Sequence, residues 1–212
     1  MFTSEKELVE KLIQEIQIQF DTKYIVRELR GGNNIADIVY TEDINRRQIL
    51  FNEYFNAYYY FQKMYNKKKI NLNNINITDK NANKKFYSFL NELEDMGYIK
   101  INDNYIETLK KIDAVTKNFI AIEAKISDWK SGLEQASRYK QFANEVYVAI
   151  SEEFIPKVDI DIFKERNIGL MSVSEERMRI IVKAKKRKVE NLDIQYYIVD
   201  KFLKQLYGEV NN

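Results

Sequence analysis

Residues 119–129 read FIAIEAKISDW, an apolar run that carries Glu123 and Lys125 two positions apart. Alternate side chains of a strand share a face, so these two charges project together while Ile122, Ala124 and Ile126 project to the other side. Burying unpaired charges costs on the order of several kcal/mol. A sheet that takes in this run must therefore bring partners to Glu123 and Lys125. The spacing alone decides nothing, because Asp21 to Lys23 and Asp128 to Lys130 repeat it outside any apolar run.

The chemistry open to those charges is bounded by what the chain lacks. With no Cys and no His among 212 residues, disulfides, thiolate metal sites, imidazole bases and most zinc sites are excluded. Chemistry rests on carboxylates, Lys, Arg, Tyr, Ser or Thr. Hydrophobic residues make up 45% of the sequence, enough for one sizeable domain or two small ones. No apolar run is long enough to span a bilayer, and MFTSEKELVEKL is not a secretory leader, so the expected setting is cytoplasmic, away from membranes.

A formal charge of +2 hides an uneven distribution. Residues 46–111 hold 12 Lys or Arg against 7 Asp or Glu, which leaves the rest of the chain net acidic. A basic middle points to a polyanionic partner, with nucleic acid first.

Ser4 followed by Glu7 forms a helix-start signal, and Leu8, Leu12 and Ile16 recur at helical spacing over residues 4–19. Strands are predicted over 23–29 and 35–40, joined through Gly31-Gly32-Asn33-Asn34 as a hairpin. A strand over 118–126, a helix over 129–143 and a strand over 145–150 come next. A helix near 158–166, strands near 168–173 and 179–185, and a closing helix over 192–206 extend and cover a mixed sheet. The expected fold class is α/β, a mixed central sheet flanked by helices.

Between residues 40 and 118 the pattern differs. An aromatic helix over 47–65, a short element over 72–77, a helix over 81–96 closing on Gly97, and two strands about an Asp103-Asn104 turn resemble a winged helix-turn-helix. That resemblance implies a DNA-binding module over 44–113, with Lys80, Asn83, Lys84 and Lys85 on the helix facing a groove. The remaining core comprises 1–43 and 114–212.

Asp37, in GGNNIADIVY, is a second carboxylate inside a short apolar strand. Asp37, Glu123 and Lys125 at a sheet edge could hold a hard divalent cation, typically bound by one or two carboxylates with waters and phosphate oxygens. The order helix, strand, Asp-bearing strand, Glu-x-Lys strand, helix, strand resembles the PD-(D/E)XK nuclease superfamily, the restriction-endonuclease-like fold. Gln135 and Tyr139 stand as the Gln-x-x-x-Tyr of its RecB-like and lambda-exonuclease-like branches, and Ala36 stands where the family's name has Pro. The resemblance implies a Mg²⁺-dependent DNA nuclease, with Mn²⁺ as substitute, in which Asp37, Glu123, Lys125, Gln135 and Tyr139 form the catalytic set. It further implies that the metal is held by Asp37, Glu123, the main chain of Ala124 and a helix glutamate, Glu10 in preference to Glu7. Glu28 is another carboxylate that could line the site.

Two questions stay open in the sequence. Asp37 and Glu123 are 86 positions apart, which requires the basic segment to be an insertion between paired strands. Asp113, ten residues before Glu123, is the rival acid. Lys185 and Lys186, in KAKKRK, are candidate phosphate contacts. Candidate partners are DNA, double-stranded first, and a second copy of the chain. The alternative function is a DNA-binding winged-helix regulator or accessory protein on an inactive nuclease-like scaffold.

Overall fold

A computed structural model describes residues 1–31, 34–44, 69–110, 116, 118–190 and 192–208. The expected aromatic helix over 47–65, the Gly32-Asn33 turn and Asp113 lie outside the described residues. The chain divides into two compact units, residues 1–46 with 116–212, and residues 47–115.

The first unit is built on a six-stranded mixed sheet. Its elements are α1 (Glu5–Phe20), β1 (Tyr24–Gly31) and β2 (Asn34–Thr41). In the second unit lie β3 (Lys69–Asn71), α2 (Lys80–Asp95), β4 (Ile99–Asn102) and β5 (Tyr105–Thr108). The first unit resumes with β6 (Ile120–Lys125), α3 (Trp129–Tyr139), β7 (Glu145–Ser151), α4 (Ile160–Glu165), β8 (Gly169–Val173), β9 (Met178–Val182) and α5 (Leu192–Gly208). The strand order is β1-β2-β6-β7-β8-β9. Strands β6, β7 and β8 run parallel, while β1, β2 and β9 are antiparallel to their neighbours. Parallel neighbours need crossovers, and α3 and α4 supply them.

Both faces of the sheet are covered for reasons visible in the side chains. Ser4 caps α1 by accepting the Glu7 N–H, and Leu8, Leu12 and Ile16 on one stripe are fully buried. They pack against Ile38, Tyr40, Ile120, Ile122, Ala124, Tyr147 and Ala149, the residues of β2, β6 and β7 that face α1. On the opposite face Phe119 stacks edge-on against Phe202 of α5 at 5.2 Å, and Trp129 packs beside Phe163 at 6.1 Å. Strand β1 is a sheet edge, and α5 reaches it: Gln205 donates to the Arg27 carbonyl at 2.7 Å and Lys201 to the Arg30 carbonyl at 3.5 Å.

The separation of Asp37 from Glu123 is resolved by the pairing of β2 with β6, in which Ile38 faces Ile122 and Tyr40 faces Ile120. Residues 44 to 115 are thus an excursion between two adjacent antiparallel strands. Its mouth is tied within the first unit: the Thr41 and Thr116 hydroxyls hydrogen-bond each other, and Thr41 also donates to the Asp43 carbonyl at 3.0 Å.

In the second unit β3, β5 and β4 form a three-stranded antiparallel sheet. Asp79 caps α2 by accepting the Ala82 N–H at 2.7 Å. Helix α2 ends at Gly97, whose φ of 70° permits the Tyr98 N–H to close on the Leu93 carbonyl at 2.9 Å. The short helix expected over 72–77 is instead a single 3-10 turn, Leu72–Asn74, following β3. Asn71 is the cause: its side chain accepts the Asn73 N–H at 2.9 Å and rewards a tight turn over a continued helix.

Candidate active site

The site forms where β2 and β6 part. Their ladder runs to Ile38 opposite Ile122, and one further step places Asp37 opposite Glu123. At the following step the Ala124 N–H donates to Asp37 Oδ2 at 2.8 Å. The Asp37 side chain thereby takes the place of a main-chain acceptor. N–H and C=O of one strand residue point to the same side, so the Ala124 carbonyl also faces the gap that holds Asp37.

Glu123 is almost fully buried, at 1% exposure, and both its oxygens are engaged. Oε1 accepts from Lys125 Nζ at 2.8 Å, and Oε2 is hydrogen-bonded to the Tyr139 hydroxyl. The same hydroxyl lies 2.6 Å from the Ile35 carbonyl, so its single proton is shared between the two acceptors and ties α3, β6 and β2 together at one point. Lys125 additionally lies 3.6 Å from Glu5 at the start of α1.

Burial raises the Asp37 pKa, opposed by the Ala124 N–H and by Lys125 and reinforced by the charges of Glu5 and Glu28. Glu123 is raised for the same reason, against the hydrogen bonds from Lys125 and Tyr139. For Lys125, burial works against the charge, but Glu123, Glu5 and Asp37 outweigh it and its pKa rises. Burial and the facing Glu123 hold the Tyr139 phenol protonated. Two carboxylates that resist ionisation beside a lysine that favours it form an electrostatically loaded site.

Asp37, Glu123, Ala124, Lys125 and Tyr139 are therefore brought together. Gln135 lies one turn before Tyr139, with its amide donating to Ser131 Oγ at 3.0 Å. It lines a cleft of about 340 Å³ that it shares with Asn34, Ile35, Ser131, Arg138 and Tyr139. Glu10 is not at the site: it pairs with Arg27 at 3.7 Å, because position 10 turns toward β1. Glu7 is held by the Thr3 N–H and hydroxyl. The helix carboxylate that reaches Lys125 is Glu5, in the first turn, where α1 meets the end of β6.

Glu28 is exposed and has a left-handed backbone, φ 50°. It occupies the one rung missing from the β1–β2 register, the position opposite Asp37. Gly132 is another residue without a sequence signal. A Cβ there would lie 2.9 Å from Val148 and 3.2 Å from Lys125, so glycine permits α3 to sit on β6 and β7. Gly132→Ala is expected to cost about 1–3 kcal/mol in urea unfolding, as overpacking does, and to displace Tyr139 from Glu123.

The basic candidates fall in both units. Lys80, Lys84 and Lys85 are exposed on α2, while Asn83 is half-buried. Lys185 and Lys186 follow the end of β9 in place of extending it. Their segment is pinned by Asn167, whose side chain accepts the Lys185 N–H at 2.8 Å and donates to the Lys185 carbonyl at 2.9 Å. A larger cavity, about 460 Å³, opens beside Met1 and is walled by Glu152, Glu153, Glu175 and Glu176, an unsuitable lining for a polyanion.

Among the described residues no group of three or more acidic side chains is placed to hold a metal ion, and Asp37 and Glu123 are a pair. Two carboxylates with a neighbouring carbonyl fit a hard cation that retains waters. No helix among the described residues is long and apolar enough to cross a membrane.

No family model and no curated protein matches the chain. A solved structure of a protein of unknown function from Silicibacter pomeroyi is similar at 16% identity, over 44% of this chain and 61% of its own, with a TM-score of 0.36. The match takes in less than two thirds of that protein's length and bears on neither fold nor activity.

Proposed function

We propose that the protein is a divalent-metal-dependent nuclease that hydrolyses DNA phosphodiester bonds, with a restriction-endonuclease-like core and an inserted winged-helix-like module that holds the duplex. The observation that carries this reading is the convergence of Asp37, Glu123 and Lys125, with Asp37 bonded to the Ala124 N–H at 2.8 Å across 87 positions of sequence. The Asp37 and Glu123 carboxylates and the Ala124 carbonyl would hold Mg²⁺. Bound there, the cation supplies Lewis acidity toward a phosphate oxygen and lowers the pKa of water.

The chain's own residues do the rest. Lys125, kept cationic by its carboxylate neighbours, donates to a phosphate oxygen as charge builds in the transition state. Tyr139 fixes the rotamer of Glu123, and Glu5 limits the reach of Lys125. Lys80, Lys84 and Lys85 on α2, and Lys185 and Lys186 after β9, are assigned to sequence-independent phosphate contacts.

Plasmid and linear DNA incubated with Mg²⁺ or Mn²⁺ test this directly. Cleavage that chelator abolishes and that Glu123→Gln reduces by on the order of 10²-fold or more is the expected result. Intact DNA under every metal and substrate condition would refute it. Occupation of both Glu123 oxygens by Lys125 and Tyr139 also suits a second reading, a buried ion pair in an inactive scaffold attached to a DNA-binding module. Calorimetric titration with Mn²⁺ separates the two, since the scaffold predicts no heat and the nuclease a binding isotherm that Glu123→Gln removes.

A further inference from the structure

We propose that the cleft beside Tyr139 is a subsite for one nucleotide of the cleaved strand, with Arg138 as its phosphate-positioning residue. The inference rests on the nuclease reading for the identity of the ligand, but its geometry is independent of the metal. Ser131, Gln135 and Arg138 fall at i, i+4 and i+7 of α3, so they share one helix face, and Asn34 with Ile35 forms the opposite wall.

Tyr139 also lines the cleft, and its hydroxyl is hydrogen-bonded to Glu123. A molecule seated there is therefore separated from the catalytic carboxylate by a single side chain. That is the placement required of a nucleotide flanking the reacting phosphate.

The charge of the cleft selects an anion. Its one carboxylate, Glu134, is ion-paired with Arg166 at 2.5 Å. Arg138 is exposed, and among the described residues no carboxylate lies within ion-pair distance of it. Its contact with Asn34 Oδ1, at 3.4 Å, is at the long limit of a hydrogen bond and leaves most of the guanidinium fork for a ligand. Ser131 accepts from Gln135 and keeps its own hydroxyl proton to donate.

Size sets the ligand's state of pairing. About 340 Å³ is near the small end of ligand pockets, roughly 300–1,000 Å³, and suits one nucleotide in place of a base pair. The strand entering this subsite is thus single at that position, as at a frayed end, an overhang or an unpaired nucleotide.

The test uses the full chain and the dinucleotide 5′-phospho-dT-dT, titrated in chelator so that no cleavage takes place and followed by NMR shifts of α3 amides. Arg138→Ala is expected to weaken binding about tenfold and to lower the salt dependence by about one phosphate contact, while Arg138→Lys retains most of the affinity. In cleavage assays Arg138→Ala should raise KM about tenfold with kcat within about threefold, and should affect overhang substrates more than blunt duplex. Dinucleotide binding that Arg138→Ala leaves unchanged overturns the subsite even if metal-dependent cleavage is found. Arg138-dependent binding in a protein that never cleaves DNA supports the subsite while the hydrolytic reading falls.

Discussion

Asp37→Asn is expected to abolish metal-dependent cleavage, by on the order of 10²–10³-fold, and to unfold no earlier on heating than the parent protein. An asparagine keeps an oxygen that accepts the Ala124 N–H, so the link between β2 and β6 survives. What it removes is a charge that burial opposes. The folded-state pKa of Asp37 lies above that of the unfolded chain. Its contribution to stability is therefore fully present below the unfolded value and is lost as pH rises through the folded value. Glu123, raised for the same reason, adds a loss of the same sign. Above the folded-state values of both groups the parent protein carries both costs and the variant only one. Thermal melts of the two proteins should accordingly diverge as pH rises through this window and converge in acid. Divalent cation reverses the order: Mg²⁺ should raise the melting temperature of the parent and leave Asp37→Asn unmoved, since only a ligand of the folded state stabilises it. A variant that melts well below the parent, or that still responds to Mg²⁺, would contradict the role given to Asp37.

Excising residues 45–115 and closing Ile44 to Thr116 with a short Gly-Ser turn should leave a folded core that still binds Mn²⁺ but loses duplex affinity by tenfold or more at moderate salt. The chain leaves β2 and returns to β6 at neighbouring positions, and Thr41, Asp43 and Thr116 already bridge the mouth with hydrogen bonds. A turn of a few residues spans such a gap with little closure entropy. The lost affinity follows from the lysines of α2, each of which releases counterions from DNA when it meets a phosphate. Circular dichroism melts and Mn²⁺ calorimetry read the first half of this expectation; anisotropy with labelled duplex across a salt series reads the second. An insoluble or molten core would show that the excursion contributes to folding of the sheet.

The sheet was readable because its strands are bounded by strong local signals. Ile38 to Tyr40 and Phe119 to Ile122 are apolar runs that end buried, and Ser4 with Glu7 marks the start of α1. Asp37, Glu123 and Lys125 were legible for a related reason: charges inside apolar strands are rare enough to ask for a partner, and strand alternation says which ones face together. The helix glutamate was not. Glu5, Glu7 and Glu10 are spread around the axis, and the choice among them depends on how α1 is rotated and where its first turn meets β6, a tertiary fact. The same limit applies to Gly132, whose role depends on the distance from α3 to Val148, and to Arg138, which resembles any surface arginine until Asn34 appears across the cleft. The 3-10 turn at Leu72–Asn74 is set by a purely local contact, the Asn71 side chain accepting the Asn73 N–H.

The reach of α5 to β1 has a consequence beyond packing. A sheet edge offers unpaired main-chain groups to any strand that drifts past, and recruitment by such edges is how soluble sheets begin to aggregate. Gln205 and Lys201 occupy the Arg27 and Arg30 carbonyls of that edge. The last described helix thus acts as a guard on the colloidal behaviour of the protein, and its loosening would turn the strand beside Asp37 into the place where association between chains starts.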